Sequence, residues 1–220
     1  MNALDINNLQ GEYRTGKAMD DGSGVFVTPI ARLSYQHLFE RSASKNPITG
    51  ERGTPYFNAC FIFNCQNTSL PGLVDPFSVF WPYVEQAADR YFAEKKKSKP
   101  FNFPLNIRDG REKEGKDGYG AGYWFITAKN HNTTPGFRLP VVDGSLNLLS
   151  DGQIKSGDFV RARVAPYVPK TENGVFFELK SVQLILPWDG FGEGSDDTGN
   201  EWAPVPGAGQ VPIPVAGRDW

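Results

Sequence analysis

GDFVRARVAPYV (157–168) reads as a β-strand, and GVFFELKSVQLIL (174–186) follows it with Asn173-Gly174 as the turn signal between them. Successive side chains on a strand point to opposite faces, so Val160, Ala162 and Val164 share one face and Phe159, Arg161, Arg163, Ala165 and Tyr167 share the other. The first set is an ordinary core face. The second, two arginines among rings, asks for a different use.

Further strands are expected at VFVTPIARLSY (25–35), PYFNACFIFN (55–64) and YWFITAKN (123–130), with a short extended piece at RLPVVDG (138–144). Between the second and third of these, DPFSVFWPYVEQAADRYFAEKKKSK (75–99) is helical in pattern. Phe77, Phe80 or Trp81, Val84, Ala87 or Ala88, and Tyr91 recur every three or four residues. Asp75 can cap this helix, Pro76 suits its first turn, Lys95–Lys97 suit its last, and Pro82 predicts either a kink or a start nearer Ser78. About five principal strands with one helix lack the βαβ alternation of a parallel sheet, and a small closed barrel follows.

With 24 Gly and 17 Pro among 220 residues, much of the chain is turn, loop or tail around one core. Residues 1–24 are expected to form a flexible arm, 25–186 the folded domain and 187–220 a disordered tail. That tail holds five Pro, seven Gly and few aliphatics, too little apolar surface to offset the entropy of ordering it. The tail carries six acids against Arg218 alone, a charge of −5, which leaves +3 on residues 1–186. No apolar run approaches the roughly 18 residues that span a bilayer, and the N-terminus has no signal-peptide pattern, so a cytoplasmic location is expected.

An enzyme should offer a nucleophile with its base, a carboxylate pair or a metal cluster, and none stands out. Cys60 and Cys65 fall on opposite faces of one strand, His37 and His131 give no zinc spacing, and Asp143 in VVDG reads as a turn residue. The loop NIRDGREKEGKDGYGAG (106–122) contains Gly115-Lys116, but Asp117 stands where a phosphate-binding loop needs Ser or Thr, and no helix follows. No cofactor or metal is expected.

What remains is a binding surface. Arg161, Arg163 and Tyr167 lie on one strand face, Arg108, Arg111, Lys113, Lys116 and Tyr119 in the glycine-rich loop, and Tyr123, Phe125 and Lys129 on one side of the next strand. Cations for phosphates and flat rings for unstacked bases are what single-stranded nucleic acid requires. A solvated surface is the competing reading: Arg161 and Arg163 would pair with a carboxylate such as Glu178, and the loop's acids nearly cancel its bases.

The segments GYWFITAKN, LPVVDG, SGDFVRARVAPYVPKTENGVFFELKSVQLI and GFGEG (190–194) resemble a family of bacteriophage single-stranded DNA-binding proteins over residues 25–194. The resemblance implies a mainly β OB-fold, a five-stranded Greek-key barrel with one inserted helix. It implies a protein that coats exposed single strands without sequence preference in phage DNA replication and recombination, inside the bacterial host's cytoplasm. It also implies an acidic tail that competes with DNA and recruits replication proteins, for which Asp219 and Trp220 are the candidate anchor. The common OB barrel places its helix after the third strand, whereas only two strands precede Phe77 here. A barrel that binds protein instead of nucleic acid, or a DNA-processing nuclease, are the alternative functions.

Overall fold

The computed structural model describes residues 24–64 and 76–188, with the backbone alone for 76–80. The arm, Asp75, Cys65, the rings of Phe77 and Phe80, and nearly all of the acidic tail with Asp219 and Trp220 lie outside the described residues. Among the described residues, eight strands and one α-helix follow in the order β1 (Phe26–Val27), β2 (Ala31–Ser42), β3 (Tyr56–Asn64), α1 (Pro76–Glu94), β4 (Arg108–Asp109), β5 (Tyr123–Asn130), β6 (Val141–Val142), β7 (Phe159–Tyr167) and β8 (Phe176–Leu186).

Five of these close on themselves in the order β7-β2-β3-β5-β8-β7, with β1 continuing β2 along β7 and β6 lying beside β8. Only the β5–β8 pairing within this ring is parallel. This is the five-stranded OB barrel. The helix leaves after the second barrel strand and packs on β7; three strands, not the two expected, precede Phe77, but β1 and β2 both run along β7, so the departure from the common OB pattern is the position of the helix.

The strand expected at 25–35 is two strands, because Pro29 offers no backbone N–H to a ladder. Buried Thr28 holds the break closed: its N–H donates to the Ala162 carbonyl at 2.8 Å, and its Oγ1 accepts from the Ala162 N–H at 3.0 Å. Beyond Tyr35, β2 runs on to Ser42 through two register shifts against β3.

The core confirms the parity of β7, since Val160, Ala162 and Val164 are all buried. On β8 the buried residues are Phe177 and Leu179, then Val182 and Leu184, a change from odd to even. A bulge explains the change, because Arg163 pairs with Ser181 while Val164 pairs with Leu179, leaving Lys180 as an extra residue. From α1, Val84, Ala88 and Phe92 enter the same core. Pro82 is accommodated inside the helix, which starts at Pro76.

Candidate nucleic-acid interface

Cross-strand partners share a face, so the register of β2, β3 and β5 defines the barrel's outer surface. Arg32 pairs with Ile62 and Ile62 with Phe125; Ser34 pairs with Cys60 and Cys60 with Thr127; His37 pairs with Asn58 and Asn58 with Lys129. These residues form one continuous outer face. One end is covered and the other is open.

The cover is the loop between β4 and β5. Ile62, Tyr119, Tyr123 and Phe125 form a second buried cluster outside the barrel, with Tyr119 edge-on to Phe125 at 5.1 Å. A turn of 3₁₀-helix, Gly110–Lys113, starts the loop and is capped by Asp109, whose Oδ1 accepts from the Arg111 N–H at 2.8 Å. At the loop's neck a Cβ on Gly110 would sit 2.6 Å from the Gly120 carbonyl oxygen and 2.9 Å from that of Tyr123, so only glycine lets the two ends approach.

The loop's charges sort themselves. Arg111 grips the Asp109 carboxylate through Nε at 3.0 Å and Nη2 at 2.6 Å, which holds that carboxyl below its ordinary pKa. Arg108 pairs with Glu112 and lies over the Phe125 ring at 5.0 Å. Lys113 stands over three rings, 4.5 Å from the centre of Tyr35 and 4.7 Å from those of Tyr119 and Phe125. Its Nζ donates to the Tyr119 hydroxyl at 3.4 Å, while burial pushes the ionisation of that hydroxyl up.

Tyr35 is the residue this arrangement singles out. It lies in a register shift between Ser34 and His37, where β2 has three steps against two on β3, and its φ is +45°. Bulges re-aim side chains, and here the ring emerges 49% exposed beside Lys113. The sequence pattern missed Tyr35 because strict alternation cannot register a bulge. Its signal was a tyrosine at the end of an apolar run.

At the open end, the Lys129 ammonium lies 4.4 Å from the centre of the Tyr56 ring, and His131 sits 5.1 Å from the same ring. Burial first, and then Lys129, lowers the His131 pKa. Between the two cationic clusters the face is polar, with Asn58 and Thr127. The Phe125-to-Lys129 step spans about 13 Å of strand, far enough to hold an extended chain at two points.

The other expected site residues divide. Tyr119, Tyr123 and Phe125 are 9%, 9% and 0% exposed, so they support the face rather than offering rings to a ligand. Lys116 is exposed in the loop. Arg161 and Arg163 lie on β7, which borders β1, β2 and β8 and pairs with neither β3 nor β5. Arg161 donates to Gln183 Oε1 at 2.6 Å, a different partner from the Glu178 expected, and Gln183 in turn donates to the Asp143 carbonyl. Glu178 pairs with Lys180 at 2.6 Å. Tyr167 is 39% exposed at the far end of β7, beside Phe176.

Residues 25–201 match the family described as the Enterobacter phage Enc34 ssDNA-binding protein. The chain belongs to this family. Its fold is similar to that of the single-stranded DNA-binding protein of bacteriophage Enc34 solved in complex with ssDNA, with a TM-score of 0.60 and 18% identity, covering 81% of this chain and 94% of that one. Another structure of the Enc34 protein gives a TM-score of 0.58 and 19% identity, covering 84% and 92%, and its C-terminal truncation gives 0.56 and 17%, covering 77% and 89%. No curated protein matches the chain by sequence. Among the described residues no helix is long and apolar enough to cross a membrane.

Proposed function

We propose that the chain binds single-stranded DNA without sequence preference on the outer face of β2, β3 and β5, and coats strands exposed during phage DNA replication or recombination in the host cytoplasm. The observation that carries this reading is Tyr35, an exposed ring raised on a bulge and flanked by the ammonium of Lys113. A base stacks on the ring while neighbouring phosphates meet Lys113, Lys116 and Lys129. Family membership supports the ligand class, as does a neighbour of the same fold solved with ssDNA. The work is binding, with no bond made or broken.

Titration of labelled mixed-sequence oligonucleotides at several salt concentrations tests it. Tyr35→Ala should weaken binding by about 1–3 kcal/mol with little change in salt slope, because stacking displaces no counterions. Lys113→Ala and Lys129→Ala should each flatten the slope of log affinity against log salt by about 0.7. Unaltered affinity in all three folded variants would overturn the assignment of this face.

The tail has its own part in the reading, with 1–24 as an arm and 189–220 as a segment separate from the barrel; Trp188, counted in the expected tail, instead packs edge-on to Phe159 at 5.4 Å and donates its N–H to Asp158 Oδ1 at 2.8 Å. A −5 segment tethered to a +3 body is at high effective concentration near a cationic face and competes with DNA there. Deleting residues 189–220 should tighten ssDNA binding at low salt, with a gain that shrinks as screening shortens to about 8 Å at physiological ionic strength. Asp219 and Trp220 set a carboxylate beside an indole, an anchor for a basic, apolar pocket on a replication protein. Trp220→Ala should leave DNA affinity unchanged and reduce capture of that partner.

A further inference from the structure

Outside the face just described, a cleft of about 180 Å³ opens where α1 meets the end of β7. Tyr83, Ala87, Arg90, Tyr91, Tyr167 and Val168 are among its walls. The helix positions 83, 87 and 91 are four apart and form a stripe beside the buried stripe of Val84, Ala88 and Phe92.

The rings of this cleft are held in place before any ligand arrives. Tyr83 stacks on Phe26 with centroids 5.4 Å apart and planes 21° apart. The Tyr91 hydroxyl donates to Glu172 Oε1 at 3.1 Å. Preorganised rings lose little freedom on binding. The charge at the rim favours an anion: Glu94 is a wall, but Arg90 is another and Lys95 lies over the Tyr91 ring at 5.9 Å, while Lys97 is occupied by Glu172. The volume is below the roughly 300–1,000 Å³ of drug-sized pockets, which suits a single flat heterocycle.

Tyr167 connects the cleft to the open end of the outer face. Lys129 on β5 is in register with Glu178 on β8, and Glu178 with Ala165 on β7, two residues from Tyr167. Two strand spacings and two residues amount to about 10 Å across and about 7 Å along. The one carboxylate on this route, Glu178, is neutralised by Lys180 at 2.6 Å.

We propose that the cleft is a second subsite for the same single strand, taking one base among Tyr83, Tyr91 and Tyr167 with an adjoining phosphate at Arg90. It rests on the single-strand-binding reading above. A strand held by Tyr35 and Lys129 continues over β8 into the cleft, so the subsite contributes only when the oligonucleotide is long enough to reach it.

The test compares thymidine oligonucleotides of about five and about twelve nucleotides, within the range that one OB domain occupies, on the full chain. Arg90→Ala removes the cation, and Ala87→Leu fills the cleft with a good helix former. Each should remove about tenfold of the affinity gained on lengthening while leaving the short oligonucleotide's affinity unchanged. Arg90→Ala alone should also flatten the long oligonucleotide's salt slope by about 0.7. Full retention of the length-dependent gain in folded Arg90→Ala overturns the subsite and leaves the barrel face standing. Failure of the parent chain to bind either oligonucleotide overturns both. If folded Ala87→Leu keeps or raises the affinity gained on lengthening, the subsite is again overturned.

Discussion

The Lys113 ammonium lies over the rings of both Tyr35 and Phe125, and the two rings are expected to respond to truncation in different ways. Phe125 is fully buried under the loop, so Phe125→Ala should lower unfolding free energy by about 3–5 kcal/mol in a denaturant titration. Tyr35 is half exposed, so its truncation should register mainly in DNA affinity, and Tyr35→Phe should retain that affinity because the ring is kept. Parity along YWFITAKN placed Tyr123 and Phe125 on the outer face, which is where they are. It could not register that a loop then folds over that face, since the contact partners Ile62 and Tyr119 are distant in sequence. The aromatic candidates therefore became a platform's foundation, and Tyr35 its exposed ring.

Two elements position the binding surface from outside the barrel, the glycine-rich loop and the turn after β7. The loop depends on its neck. Gly110→Ala forces a Cβ to within 2.6 Å of the Gly120 carbonyl oxygen, so the neck must open and Lys113 must shift. Thermal melting and DNA affinity should both fall. Gly115→Ala is the control, because a Cβ there meets nothing within 4 Å, and only the left-handed backbone at φ +86° resists it, at about 1–2 kcal/mol. At the turn, Glu172 joins the end of α1 to the barrel by accepting from Lys97 at 2.8 Å and from Tyr91 at 3.1 Å. Lys97 first, and then Tyr91, hold the Glu172 carboxyl below its ordinary value of 4.5. A depressed carboxylate pKa stabilises the fold above the unfolded value and ceases to do so as pH falls through the folded value. The melting-temperature difference between the parent chain and Glu172→Gln should thus be present at pH 7 and shrink as pH falls below 4.5 and through the carboxyl's lowered folded value.

For the whole molecule, barrel closure decides which cations can act together. Arg161 and Arg163 sit on β7, across the ring from β3 and β5. Their double replacement by Ala should leave the salt dependence of five-nucleotide binding unchanged, whereas combined replacement of Lys113, Lys116 and Lys129 should flatten that slope by about 2. A slope lowered by the arginine pair would move the interface to the other side of the barrel.

Local chemistry in the sequence determined a good deal: the alternation that buries Val160, Ala162 and Val164, the three-or-four repeat that makes α1, the extent of β5 from Tyr123 to Asn130, and the family resemblance with the barrel it implies. These are short-range properties, set by backbone periodicity and by side chains within one element. The break at Pro29 was also written there, although a single apolar run hid it. Tertiary structure alone decided the rest. The bulge that raises Tyr35, the loop that buries Tyr123 and Phe125, and the closure that sets β7, with Arg161 and Arg163, two strands from β5 all depend on which strand lies beside which. Pairing across a barrel is long-range: strand periodicity says which side a residue faces, and closure decides what else faces with it.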